Sequence, residues 1–315
     1  MKILYQDNRT GESFDLTGSV TGCTWTTKRT GYPAALELSV LRSAEVEWSL
    51  GGVLAVRDGG TGIFYGYVFK IEGNEGGERS ITAYDQTRYL KNKDTFVFDG
   101  RRADEIVAQI AADFKLKTGA LAHTGYVIPS MVEDAQTLFD IVLKALDLTL
   151  LNTGRMFCLW DDFGALRLSE VAVPAELPVV GDGSLATGYT YTVDIDGQTY
   201  NKIKLVRDNK QTGKRDVYIQ QDSGTMALWG VLQNYEKVDE NLNEAQVKQK
   251  AGQMLELYNR PARALELEAL ALPQVRAGRV IYVPIEREGL AQAFLVEEAK
   301  HDLLKQTMQL KVKVV

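Results

Sequence analysis

Gly52-Val53-Leu54-Ala55-Val56, Phe64-Tyr65-Gly66-Tyr67-Val68-Phe69-Lys70-Ile71 and Arg79-Ser80-Ile81-Thr82-Ala83-Tyr84 are three strand-like segments near the N-terminus. A run of the same form closes the chain: Gly278-Arg279-Val280-Ile281-Tyr282-Val283, Ala293-Phe294-Leu295-Val296-Glu297-Glu298-Ala299-Lys300 and Thr307-Met308-Gln309-Leu310-Lys311-Val312. Each copy has a glycine-led strand, a polar turn, a long strand and a closing strand at nearly the same spacing. The copies share few identities, so the likeness is one of architecture. It predicts two antiparallel β-barrels of one design on a single chain.

Working outward, residues up to about Leu90 read as seven or eight short strands, broken by turn signals such as Thr10-Gly11 and Asp58-Gly59-Gly60. The period then changes. Ala103, Ile106, Val107, Ile110, Ala111 and Phe114 recur at helical spacing, with Asp104 and Glu105 in the first turn. A second helix carries Leu138, Ile141, Val142, Ala145 and Leu146, and Ser130 with Glu133 reads as a capping box ahead of it. Met156–Trp160, a turn at Asp161-Asp162-Phe163-Gly164, and Ala165–Leu168 read as a hairpin. Two helices and a hairpin make a small α+β module between the barrels. A Pro- and Gly-rich boundary at Pro174–Gly188 precedes strands at Tyr189–Val193, Asn201–Arg207 and Asp216–Gln221. A third helix follows, with Asn243 as N-cap, Gln246 behind it and Pro261 as its stop. The expected fold is mainly β with an α+β insertion. Its divisions are a first barrel over 1–90, the α+β module over 91–180, and a second barrel over 181–315 interrupted by a helical segment at about 222–261.

The 315 residues are 45% apolar and 25% charged, with a formal charge of −6. No Lys/Arg block or basic stripe is present, which argues against sequence-specific nucleic-acid binding. Cys23 and Cys158 fit no metal or redox spacing and read as buried free thiols. The start lacks the apolar run of a signal peptide, and no stretch approaches the ~20 apolar residues of a membrane span. Synthesis and folding in a cytoplasm are therefore expected.

The search for chemistry finds no catalytic, cofactor-binding or metal-binding constellation. His123 and His301 are the only histidines, and no G-x-S-x-G or H-E-x-x-H occurs. His301 reads as a structural strand residue. Asp194-Ile195-Asp196-Gly197 has the wrong residues at two ligand positions of a calcium loop, and reads as a hairpin turn. Asp161 and Asp162 are adjacent, so on a strand they face opposite ways and cannot serve one sugar together. Trp48 and Trp229 lie in polar, loop-like surroundings and are candidate interface residues. Glu266 and Glu268 alternate with Leu265 and Leu267, which puts the carboxylates on the face opposite the core.

The run Ile81-Thr82-Ala83-Tyr84-Asp85-Gln86-Thr87-Arg88-Tyr89-Leu90-Lys91-Asn92-Lys93-Asp94-Thr95-Phe96 closely resembles the segment after the first barrel in the XkdQ/YqbQ-like prophage tail proteins. Ala103–Phe114, Thr137–Leu146, Val238–Gln246 and the closing strands agree in order, so the resemblance covers nearly the whole chain. It is similar to the central baseplate hub of contractile phage tails and related injection machines, including the late-control-D group. The resemblance implies two tail-tube-like barrels per subunit in a homotrimer. Such a ring joins a sixfold tail tube to a threefold spike, and the partners implied are tube protein, spike protein and other baseplate proteins. It implies a place in the baseplate of a virion or tail-like particle, with no enzymatic activity and no cofactor. The duplication read from the residues suits this arrangement, since three two-domain subunits present six similar modules. The competing readings are a tail-associated cell-wall hydrolase and a glycan-binding tail-tip module.

Overall fold

The computed structural model describes residues 1–41, 46–209, 213–240 and 242–314. Asn241, within the Val238–Gln246 segment, and Val315, at the end of the second expected barrel, lie outside the described residues. The N-terminal strands are β1 (Lys2–Gln6), β2 (Ser13–Asp15), β3 (Val20–Lys28), β4 (Ala35–Leu41), β5 (Val53–Asp58), β6 (Thr61–Gly73) and β7 (Glu78–Tyr84). A 3-10 turn over Gln86–Lys91 leads to β8 (Lys93–Arg102), α1 (Ala103–Asp113), β9 (Thr118–Leu121), β10 (Val127–Thr137), α2 (Leu138–Thr153), β11 (Phe157–Asp161) and β12 (Leu166–Glu170). Then come β13 (Ala186–Asp194), β14 (Lys202–Asn209), β15 (Lys214–Gln221), α3 (Ser223–Trp229), β16 (Gln233–Lys237) and α4 (Glu244–Tyr258). The closing strands are β17 (Ala262–Leu270), β18 (Val280–Ile285), β19 (Leu290–Asp302) and β20 (Thr307–Val314).

The mainly-β fold with an α+β insertion is present, and so is the duplication. The order β3-β4-β7-β6-β5 in the first half matches β13-β17-β20-β19-β18 in the second. The match reaches single residues. Both long strands, β6 and β19, have 13 residues. Each carries one extra residue against its closing strand, Phe69 in β6 and Glu297 in β19. Just before that bulge, Gly51 N–H donates to Val68 C=O and Val68 N–H to Gly52 C=O. In the second copy Gly278 N–H donates to Val296 C=O and Val296 N–H to Arg279 C=O. Gly51 and Gly278 both have left-handed backbones, with φ of +80° and +84°. The structural counterpart of Gly278 is therefore Gly51, one residue before the quoted Gly52, and the left-handed backbone favours glycine at that place in each copy.

The halves do not close into separate barrels. They join in one 12-stranded sheet, because the second half of β19 pairs with β3. The register is Glu298 opposite Lys28, Lys300 opposite Thr26 and His301 opposite Trp25. One sheet face holds Ile3, Leu36, Leu38, Leu54, Val56 and Ile81, all essentially inaccessible, in an alternation that a one-residue slip would turn outward.

The chain divides into two compact units, residues 1–190 with 266–315, and residues 191–265. In the larger unit, Ile106, Val107, Ile110, Leu138, Ile141 and Val142 of α1 and α2 pack on Phe98 and Met131 of the β8–β10 ribbon. The expected capping box at Ser130 and Glu133 is corrected here. Ser130 pairs with Asp99 and Glu133 with Phe96 in that ribbon, and Thr137 caps α2 by accepting from Asp140 N–H. In the smaller unit β14 and β15, read from sequence as strands of the second barrel, form a sheet with β16 in the order β15-β14-β16. Ile203 and Leu205 meet Val247 and Ala251 of α4, whose Asn243–Gln246 capping box is formed as expected. At Asp194 the carboxylate accepts from Asp196 N–H and Gly197 N–H, an Asx turn. It is not the tip of a hairpin, since β14 pairs with β15 and β16 instead of β13.

Candidate assembly surfaces

The joint between the two repeats defines two further edges. On β19, residues after the bulge pair on their outer side with β3. The equivalent stretch of β6, Phe69–Gly73, has no strand on that side among the described residues, because β5 ends its pairing at Tyr67. β13, the equivalent of β3, ends the sheet path and likewise lacks an outer neighbour. Unpaired backbone N–H and C=O groups make each edge a template for another strand. Lys70 and Glu72, 2.7 Å apart as an ion pair, put charge on the β6 edge and discourage indiscriminate pairing.

Next to the β13 edge the outward sheet face forms an open groove of about 310 Å³, walled by Tyr189, Glu266, Glu268, Glu298, Lys300 and Lys311. Leu265 and Leu267 are buried while Glu266 and Glu268 are exposed, as the alternation predicted. The carboxylates are interleaved with lysines. Lys311 Nζ lies 3.5 Å from Glu266, and Lys28 Nζ 3.3 Å from Glu298. Paired charges of both signs on a solvated strand surface favour solubility over capture of a charged ligand.

The α+β module is held to the sheet through a polar junction. Asp85 caps the 3-10 turn, accepting from the N–H and hydroxyl of Thr87. Gln86 bonds Lys117 in both directions, donating to its C=O at 3.1 Å and accepting from its N–H at 3.0 Å. The run Ile81–Phe96 thus includes the segment that docks the module. The hairpin tip reaches back to the sheet, where Phe163 lies flat over Gly62. A Cβ there would sit 2.3 Å from the ring. The Arg57 guanidinium covers the same ring at 4.2 Å. Arg276 stacks on Trp160 at 3.6 Å.

Asp161 and Asp162 diverge as the strand argument required. Asp162 pairs outward with Arg167 at 2.8 Å, and Asp161 turns inward to accept from Gly164 N–H. The partner of Asp161 that sequence reading missed is Asp85. Burial, then their mutual repulsion, holds the Asp85 carboxyl well above the usual carboxylate range. Asp161 is raised as well, again chiefly by burial. Burial lowers the Arg276 guanidinium to about 10, so it stays cationic at neutral pH.

Trp48 is half-buried against Tyr5, with ring centroids 4.5 Å apart. Trp229 ends α3 half-exposed, next to the exposed Leu228. His301 is fully buried, stacks on Trp25 at 5.2 Å, and donates from Nε2 to Val275 C=O at 2.8 Å. A carbonyl only accepts, so Nε2 carries the hydrogen; burial depresses the imidazole pKa, and the bond to Val275 works against it to a smaller extent. Cys23 and Cys158 are free and buried, and burial pushes the Cys23 thiol up to about 12. Thiol reagents at pH 8 are expected to label neither cysteine until denaturant is added; rapid labelling of the native protein would contradict this packing. Among the described residues no group of three or more His, Cys, Asp or Glu side chains is placed to hold a metal, and no helix is long and apolar enough to cross a membrane.

Comparison with known proteins places this chain among prophage tail proteins. The YQBQ-like family profile matches residues 23–313. The phage-like element PBSX protein XkdQ of Bacillus subtilis is 35% identical over 259 residues, covering 80% of this chain and 78% of XkdQ. The chain belongs to the YQBQ-like family. Among solved structures, the 43 kDa tail protein of prophage MuSo2 from Shewanella oneidensis superposes with a TM-score of 0.72 at 15% identity, covering 100% of this chain and 98% of that one. An Escherichia coli component of the type VI secretion system, described as structurally similar to the bacteriophage T4 tail proteins gp27 and gp5, reaches 0.57 at 9% identity. It covers 95% of this chain and 75% of that one. Both structural likenesses are of fold.

Proposed function

We propose that this protein is a baseplate hub, three copies of which close into a ring that adapts a sixfold tail tube to a threefold spike. The observation that carries the reading is the β19–β3 joint. It links the second repeat of a chain to the first by strand pairing, and the equivalent edges of β6 and β13 lie open. Pairing β6 of one copy with β13 of the next repeats the internal joint between chains. A heterologous contact of that kind closes if its rotation divides the circle. Three chains then supply six repeats to the tube and three identical copies to the spike. Tube protein, spike protein and other baseplate proteins are the proposed partners, and the particle's baseplate is the proposed location. The type VI relative's stated likeness to gp27 and gp5 supports a spike-bearing role. In this ring the groove of Glu266 and Glu268 is proposed to face the lumen, and Trp48 and Trp229 to contact neighbours.

The role is mechanical. Asp162→Ala, His123→Ala and His301→Ala are expected to leave particle activity intact once folded, with His301→Ala costing stability of about 0.5–3 kcal/mol. Muralytic activity of the purified chain on a peptidoglycan zymogram, abolished by Asp161→Ala, would instead favour a hydrolase. The direct test is copy number. Quantitative mass spectrometry of purified particles should return three chains per tail, and six or one would refute the ring.

A further inference from the structure

Two small sheets of this chain each cover one face with helix and leave the other bare. In β15-β14-β16, Ile203, Leu205 and Tyr218 face α4. The opposite face presents Val217, Ile219 and Tyr235, each about half exposed. Lys204, opposite both Ile219 and Tyr235 in the sheet, holds its ammonium 5.7 Å from the tyrosine ring. Neither Lys204 nor Lys202 has a carboxylate within ion-pair distance among the described residues, and Arg215 and Lys237 share the single carboxylate of Asp208. The face thus sets Val217, Ile219 and Tyr235 on its two outer strands around Lys202, Lys204 and the buried Val206 of the central strand, and it is net positive on a chain whose formal charge is −6.

The β8–β10 ribbon is its counterpart. Phe96, Phe98 and Met131 face inward, and the outward face carries a cross-strand pair, Val97 opposite Val132, exposed at 68% and 62%. The charges nearest that pair are Asp99 and Asp134, both exposed; Lys93 and Arg101 lie farther out, toward the ribbon's ends.

We propose that the bare face of β15-β14-β16 docks on the outward face of the β8–β10 ribbon of a second copy of this chain, sheet on sheet. The basic face cannot pair with itself, because a twofold contact would set the lysines of its central strand against one another. The ribbon offers what it lacks, exposed valines flanked by carboxylates. Burying Val217, Ile219 and Tyr235 against Val97 and Val132 supplies the hydrophobic term, and Lys204 with Asp99 and Asp134 sets the register. The contact is heterologous, so it suits a ring of copies, and to that extent it rests on the hub reading.

The test uses Val97→Cys and Ile219→Cys on the full chain, in cells producing particles. Both native cysteines are buried and do not compete. After oxidation and purification, particles carrying the double variant should give two- and three-chain species on non-reducing gels. Co-expressed single variants should give two-chain species only, and either single variant alone should give none. Lys204→Glu should abolish the cross-link, and adding Asp99→Lys with Asp134→Lys should restore it. Ile219→Cys chains linked to each other would overturn the proposal. So would the absence of cross-links in particles that still contain three chains, which would leave the ring reading standing. Particles with another copy number would sink that reading itself.

Discussion

Leu310→Asp should leave no assembled particle. Leu310 is 1% exposed in the centre of β20, between β17 and β19, and its side chain points into the core shared by the closing strands. Removing it forfeits the burial of a large aliphatic group, about 2–5 kcal/mol by analogy with Leu→Ala changes. The aspartate adds a carboxylate with no hydrogen-bonding partner, so it must either be protonated or drag water into the core. A domain of ordinary stability has about 5–15 kcal/mol in total. The loss is concentrated in the repeat that carries the β19–β3 joint, so the joint should fail with it. Electron microscopy of lysates is expected to show no assembled particles. Normal tails from this variant would mean that the core is elsewhere. Gln309→Asp, one residue away on the exposed face, is the control and should assemble.

Arg276→Ala should destabilise the protein by an amount that grows with pH. The guanidinium lies where two carboxyls, Asp85 and Asp161, are pushed up by burial, and Asp85 further by the charge of Asp161. A carboxyl raised in the folded state holds a proton that the unfolded chain has already released. The folded protein thus binds more protons between the unfolded carboxylate range and the raised value, and stability falls as pH rises through that window. Arg276 opposes this by stabilising the ionised forms, and its removal leaves the pair without a cation. Loss of about 2–3 kcal/mol is expected at pH 8, shrinking toward pH 5 as the carboxyls protonate. Denaturant titrations at both pH values measure it. Asp85→Asn in the Arg276→Ala background should flatten the dependence, because one proton of the pair is then gone. A penalty independent of pH would mean that Arg276 acts only by stacking on Trp160.

The three-strand repeat, the hairpin with its turn at Asp161–Gly164 and the Asn243 cap were legible because each is written within a few residues: alternation, turn residues, a capping pair. The misplaced cap at Ser130 shows the limit of such signals. Ser and Glu at the right spacing are also ordinary strand residues, and the exposed alternation of Val132 and Asp134 marks β10 as strand. The joint of β19 with β3 had no local signature. Strand pairing across most of the chain depends on which edges are left over once each repeat has folded. Asp85 and Asp161 meet for the same reason, since the 3-10 turn and the hairpin are distant in sequence and only the docked module brings them together. The bulges at Phe69 and Glu297, matched to the residue, became visible only through the ladder register.

The repeated joint is the centre of this account, and a cryo-EM map of the assembled baseplate tests it most directly. It should show three chains, six repeats and a continuous sheet in which the Phe69–Gly73 edge of β6 pairs with β13 of the next chain, as β19 pairs with β3 within one. A map in which those two edges stay bare, or pair with a different protein, would contradict it.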